Sequence, residues 1–247
     1  MNDFFEIYDV LISSLGAAAA TTRVLSTEAG EHFSYCKSET GFGIAMAGDQ
    51  AMIAPMYPTG LAGLSVWDAA KSVNSWNLRE ASTGLAAINA HLNTLSRIKE
   101  LDCAEPFENH AVRGLKFDGA TVGIIGHMRL TEEVRQNAAT IYTLERRPRP
   151  GDYPDSACEA LLPKCDYVFI SGSTMMNKTL PRLIELSKRA YTVLLGPSVP
   201  MCPALLEHGI DRLSGMVVTD AAAMREYVRS APACSPYSMG TPFLLTK

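Results

Sequence analysis

The chain has 247 residues, 47% hydrophobic and 19% charged, with a net charge of −4. That length suits one large domain or two small ones, and the scattered Lys and Arg exclude the basic face that nucleic-acid binding requires. No stretch of about 18 apolar residues runs free of charge, so no membrane partner is expected.

The first element read from the sequence is a helix over 2–15, where Phe4, Phe5, Tyr8, Leu11, Ile12 and Leu15 recur at helical spacing. Asp3, Glu6 and Asp9 interrupt its apolar positions and no basic segment precedes them, so it does not read as a signal peptide and a cytoplasmic location is expected. Strand candidates follow in TTRVLS, HFSYCKS and GFGIAMAG, then helices in SVWDAAKSV and REASTGLAAINAHLNTL. A helix, short strands and then helices predict a small α+β domain over 1–105. Within GLAAINAHL, Asn89 is the polar member of a small-residue face and needs a partner, in the fold or in an interdomain crevice. Glu39 in KSETGFG is a further carboxylate that the sequence alone does not place.

The segment LDCAEPFENHAVRGLKFDGA reads as a linker or long crossover into a second domain over 106–247. There, apolar runs TVGIIG, TIYTLE, DYVFISGS, YTVLLG and SGMVVTD alternate with helical stretches TEEVRQNAA, CEALLP, NKTLPRLIELSKRA, PALLEHGI and AAAMREYVRS. Five such strands predict a parallel sheet covered on both faces. Thr131 with Glu132 and Glu133 suits a capped, acidic first turn. Pro181 predicts a kink inside its helix, and Gly209 closes the next one. The six cysteines, at 36, 103, 158, 165, 202 and 234, form no C-x-x-C pair and read as free, mostly buried thiols.

In an open parallel sheet, ligands bind beyond the carboxyl ends of the strands, where the strand order reverses. The usual order 3-2-1-4-5 puts that crevice between the first and fourth strands. Gly126 and His127 end the first; Gly196, Pro197 and Ser198 end the fourth; Gly172, Ser173 and Thr174 end the third, with Asn177 and Lys178 opening its helix. Here Ser198 is expected as a free donor, and the hydroxyls with Asn177 as caps of a helix N-terminus that welcomes anions. His127 is the candidate catalytic residue, because imidazole exchanges a proton or donates an electron pair near neutral pH. Gly123 and Gly126 fall short of G-x-G-x-x-G and argue against a standard pyrophosphate loop. Glu145, however, ends the second strand where a ribose-binding carboxylate for NAD or S-adenosylmethionine would sit. Cys202 and His208, six residues apart, do not share a helical face and make a poor joint metal ligand.

VGIIGH, the proline-rich loop with GD before a helix, CDYVFISGSTMMNKTL, LLGPSVPMCP, HGIDRLSGMVVTD and GLAAINA occur in this order over most of residues 80–220. Together they resemble the putative heavy-metal chelation family. The resemblance implies an N-terminal domain similar to that of enolases, a Rossmann-like C-terminal domain and a site between them, with His127, Ser198, Asn177 and Asn89 as candidates. It also implies a divalent or heavy metal as the cofactor class.

The leading expectation is therefore an interdomain crevice that binds or processes a small molecule or metal chelate, as an enzyme using His127 or as a binding protein. The alternative is a transferase or oxidoreductase with a nucleotide cofactor. Neither nucleic acid nor membrane is an expected partner, and homo-oligomerisation is left open.

Overall fold

A computed structural model describes residues 4–49, 53–101, 105–106, 110–128, 132–232 and 234–247. Thr131 and Cys103 lie outside the described residues. The N-terminal part comprises α1 (Glu6–Ser13), strands β1 (Val24–Ala29), β2 (Phe33–Ser38) and β3 (Phe42–Met46), then α2 (Val66–Ala70), α3 (Leu78–Leu92) and α4 (Leu95–Glu100). The strands form an antiparallel sheet in the order β1-β2-β3. Asn77 starts α3 by accepting the Glu80 N–H at 3.2 Å. The Glu80 carboxylate, buried in turn, accepts the Met56 and Tyr57 N–H groups at 2.7 Å each. The small residues of α3 have a steric purpose. A Cβ on Gly43 of β3 would lie 2.2 Å from both Ala86 O and Ala90 N, so the helix backbone rests directly on the strand.

The second part begins with β4 (Glu105–Pro106) and runs through β5 (Thr121–Ile125), α5 (Glu132–Asn137), β6 (Thr140–Glu145), β7 (Tyr153–Pro154), α6 (Cys158–Leu161) and β8 (Tyr167–Ser171). It continues with α7 (Ser173–Met176), α8 (Leu180–Leu186), β9 (Tyr191–Leu195), α9 (Ala204–Glu207), β10 (Arg212–Val218), α10 (Ala221–Ser230) and β11 (Gly240–Thr246). These strands form one sheet in the order β4-β11-β10-β9-β8-β5-β6-β7. From β10 to β7 all neighbours are parallel; β11 runs antiparallel to β10, and β4 antiparallel to β11. The chain is thus a mixed α/β protein with a small antiparallel sheet and a larger, mostly parallel one.

The expected strand order is corrected. The five strands read from the sequence run 2-1-3-4-5, because β8, not β9, pairs with β5 (Val122 opposite Tyr167), while β9 pairs with the far side of β8 (Tyr167 opposite Tyr191). Both orders use right-handed crossovers between equally buried apolar strands, so hydrophobic periodicity does not separate them. The crevice accordingly moves from between the first and fourth strands to between the first and third.

The expected helix over 177–190 is also divided differently. It breaks at Lys178, which adopts φ +67°, between α7 and α8. Pro181 lies in the first turn of α8, where a missing N–H disrupts no intrahelical bond, so it starts the helix instead of kinking it. Among the described residues, no helix is long and apolar enough to cross a membrane. Cys36, Cys158, Cys165 and Cys202 are buried free thiols, and Cys234 is an exposed one.

Candidate functional site

At the carboxyl ends of β5, β6 and β8 lies a cleft of about 390 Å³, where the strand order reverses. Its floor is apolar, with Ile125, Leu144, Leu183 and Leu186, and its walls carry Glu145, Arg146, Ser171, Ser173, Asn177 and Arg182. Gly126 turns the chain out of β5 at φ +99°, a conformation that side chains rarely adopt, and a Cβ there would lie 3.3 Å from Ser171 Cβ. After that turn, His127 stands beside the cleft residue Glu145. Its Nε2 lies 2.6 Å from Asp152 Oδ2, and its Nδ1 lies 3.9 Å from Glu145 Oε2. Asp152 also accepts the Arg149 N–H at 2.7 Å. The His127 hydrogen bond, then that backbone N–H, hold its carboxyl below the usual carboxylate range.

The third strand's hydroxyls are committed to local structure as well as to the cleft. Ser171 and Ser173 share a hydrogen bond at 2.9 Å, and Thr174 Oγ1 donates to Ser171 O at 2.7 Å. Asn177 Oδ1 accepts both the N–H and the hydroxyl of Thr179, leaving its amide nitrogen as the donor group. The N-cap residues themselves, Gly172 of α7 and Thr179 of α8, make no side-chain cap bond, while Ser171 Oγ accepts the Ser173 N–H at 3.4 Å. The two cleft guanidiniums face carboxylates: Arg146 Nε is 3.7 Å from Asp155 Oδ2, and Arg182 pairs with Glu159 and Glu185. Cys158 borders the cleft, but burial pushes its thiol up to about 11, so the reactive thiolate is scarce.

The other candidates gather elsewhere, in a seam between the two sheets. Asn89 Nδ2 donates to Ile44 O at 2.8 Å and to Ser198 O at 3.0 Å, joining α3 to β3 and to the loop after β9. Ser198 is no free donor facing a ligand: it is buried, and its Oγ accepts the Met46 N–H at 2.8 Å. Gly196, at φ +123°, turns that loop back over the end of β8, and a Cβ on Gly172 would meet Val199 Cγ2 at 2.8 Å. Gly172, Gly196, Pro197 and Ser198 are thus not among the residues that line the cleft, and Ser198 joins the seam instead. Asn93, which sequence reasoning missed, does more than Asn89. Its amide donates to Val199 O and Met216 O, and its Oδ1 accepts the Met201 N–H. Glu39 is exposed and accepts the Arg23 N–H at 2.8 Å.

Lys178 is buried beside the seam. Its Nζ lies 5.4 Å from the centre of the Tyr8 ring and donates to Met176 O at 3.0 Å. Burial lowers its pKa to about 8.

A resident metal ion needs several converging N, O or S donors. Among the described residues, no group of three His, Cys, Asp or Glu side chains meets that need. Cys202 is buried, and His208 directs Nδ1 to Ala204 O at 2.7 Å. His127 and Glu145 supply two donors, too few to hold an ion unaided. The described residues do not fit a closed metal centre.

Comparison with known proteins now places the chain. It is 29% identical over 168 residues to an uncharacterised protein of Methanocaldococcus jannaschii, covering 64% of this chain and 62% of that protein, so it spans less than two thirds of that relative. A crystal structure of a protein of unknown function from Desulfitobacterium hafniense is 36% identical, with a TM-score of 0.87 over 99% of this chain and 98% of that one. Another, from Pyrococcus horikoshii, is 20% identical with a TM-score of 0.77 over 96% and 100%, a likeness of fold. Residues 113–241 and 12–92 match two family models, both described as putative heavy-metal chelation. The chain belongs to the putative heavy-metal chelation family.

Proposed function

We propose that the cleft at the ends of β5, β6 and β8 binds a small polar ligand, and that this ligand is a metal chelate or its organic chelator. The observation that carries this reading is the donor set. Polar walls on an apolar floor suit an organic molecule of a few hundred Å³, whereas no three metal-ligating side chains converge among the described residues. A chelator brings its own donors, so the protein needs only to grip the organic part. Residues 1–105 and 106–247 act in this reading as two domains fixed to each other along the Asn89–Asn93 seam, which sets the position of the cleft rim. His127, oriented by Asp152, is the group that could exchange a proton with bound ligand.

Calorimetric titration tests this with Fe(III)–citrate and Ni(II)–nitrilotriacetate against free citrate and free Ni(II). At least one chelate or free chelator is expected to bind, and Ser173→Trp, which fills the cleft, is expected to abolish that binding. Binding of Ni(II) alone, equal in both proteins, would overturn the reading. His127→Ala separates the two classes: retained affinity with no conversion of bound ligand assigns chemistry, and lost affinity assigns binding.

A further inference from the structure

Glu145 and His127 carry an arrangement that the described residues leave incomplete. Asp152 Oδ2 already accepts a backbone N–H, so it is an acceptor, and the proton in its 2.6 Å bond with His127 belongs to Nε2. In the tautomer with its proton on Nε2, the ring presents Nδ1 as a lone pair. That lone pair faces Glu145 Oε2 at 3.9 Å, beyond hydrogen-bonding distance and with acceptors on both sides. Among the described residues, Glu145 Oε1 accepts the N–H of Arg146, at 3.2 Å. The two guanidiniums in the same cleft face other carboxylates. Glu145 is therefore a cleft carboxylate beside a second acceptor, and together they call for two adjacent donors from outside.

We propose that the ligand of this cleft carries a vicinal pair of hydroxyls, one donating to Glu145 Oε2 and its neighbour to His127 Nδ1. The proposal rests on the reading of the cleft given above and names the ligand's chemistry. Hydroxyls suit both acceptors, because each donates one hydrogen bond, while the cleft's two guanidiniums, Arg146 and Arg182, are already matched by Asp155 and Glu159 on the same lining. The apolar floor of Leu144, Leu183 and Leu186 receives the flat or carbon-rich body to which the hydroxyls are attached. Two sources share this chemistry, an aromatic diol of the kind that chelates metals and the ribose of a nucleoside. The glycine-poor turn after β5 disfavours a dinucleotide in the second case.

The test is a pair of matched titrations of the full chain followed by NMR: catechol against resorcinol, and adenosine against 2′-deoxyadenosine. In at least one pair the vicinal member is expected to bind at least tenfold more tightly, the effect of one charge-assisted hydrogen bond. That preference is expected to fall within about twofold in Glu145→Gln and to shrink in His127→Ala. The side chains of Glu145 and His127 are 22% and 29% exposed, so both variants are expected to fold, and thermal melting checks this. A preference for catechol supports the chelator source; one for adenosine supports the ribosyl source. Equal binding within both pairs, or a preference that survives Glu145→Gln, overturns the proposal. If the chelates of the preceding titration bind while neither diol is preferred, the cleft reading stands and this one falls. If the chelates fail as well, both fall.

Discussion

Lys178 shows how a single side chain can work against the fold that holds it. Its ammonium is buried with one carbonyl and one ring face as partners, and its pKa falls from 10.5 to about 8. A lysine pKa lowered in the folded state means that the folded protein gives up its proton first. The cost of burying charge is therefore fully present below pH 8 and is relieved as pH rises from about 8 to 10.5. Lys178→Met is accordingly expected to raise stability at pH 7 by up to about 3 kcal/mol, less whatever the lost carbonyl bond and ring contact contribute. Urea unfolding at several pH values checks this: the gap between the two proteins should narrow from pH 7 to pH 10. A gap that is absent or constant would show that the amine is solvated after all. His127 illustrates the opposite case, a side chain whose meaning lies in its neighbours. The sequence marked it by its place at a strand end. Asp152, in the loop whose GD helped to carry the family resemblance, is what orients it.

At the scale of elements, the sequence disclosed what lies in local pattern. Apolar runs ending in glycine or hydroxyl residues located β5, β8 and β9, and the small-residue face of α3 anticipated its close packing on β3. What was not legible depends on which distant surfaces meet. Strand order left no mark on periodicity, so the crevice was assigned one strand too far along, and Ser198 was read as a free donor when it is an acceptor inside the seam. Asn93 gave no signal either, because an Asn just past a helix end is expected at a C-terminus for local reasons. Its partners Val199, Met201 and Met216 lie more than 100 residues away. Asn93→Ala leaves a buried N–H and two buried carbonyls without this partner, and is expected to cost about 2–4 kcal/mol. Asn89→Ala, which removes two such bonds, is expected to cost less. Denaturant midpoints of both variants check the ranking, and a loss below about 1 kcal/mol for Asn93→Ala would mean that the seam is held by packing alone.

At the scale of the whole molecule, the two sheets meet along a seam made largely of side chains bonded to backbone, while the cleft opens beside it at the reversal of strand order. The larger sheet ends on each side in a strand of two residues, β4 and β7, and each of these contains a proline. A proline offers no N–H, and two residues give a neighbouring strand almost nothing to pair with. Each border strand thus offers little to an added strand, and it covers only part of its neighbour: β7 pairs with Leu144 and Glu145 of β6, and β4 with Phe243 and Leu244 of β11. Pro154→Val restores a donor and a strand-forming side chain to the exposed β7 border. It is expected to promote concentration-dependent aggregation, seen by light scattering, with little change in melting temperature. Unaltered monodispersity would mean that the brevity of β7 guards the border without its proline. By the same reasoning, the backbone that this sheet could still lend to a partner strand lies, among the described residues, on β6 before Leu144 and on β11 outside Phe243 and Leu244.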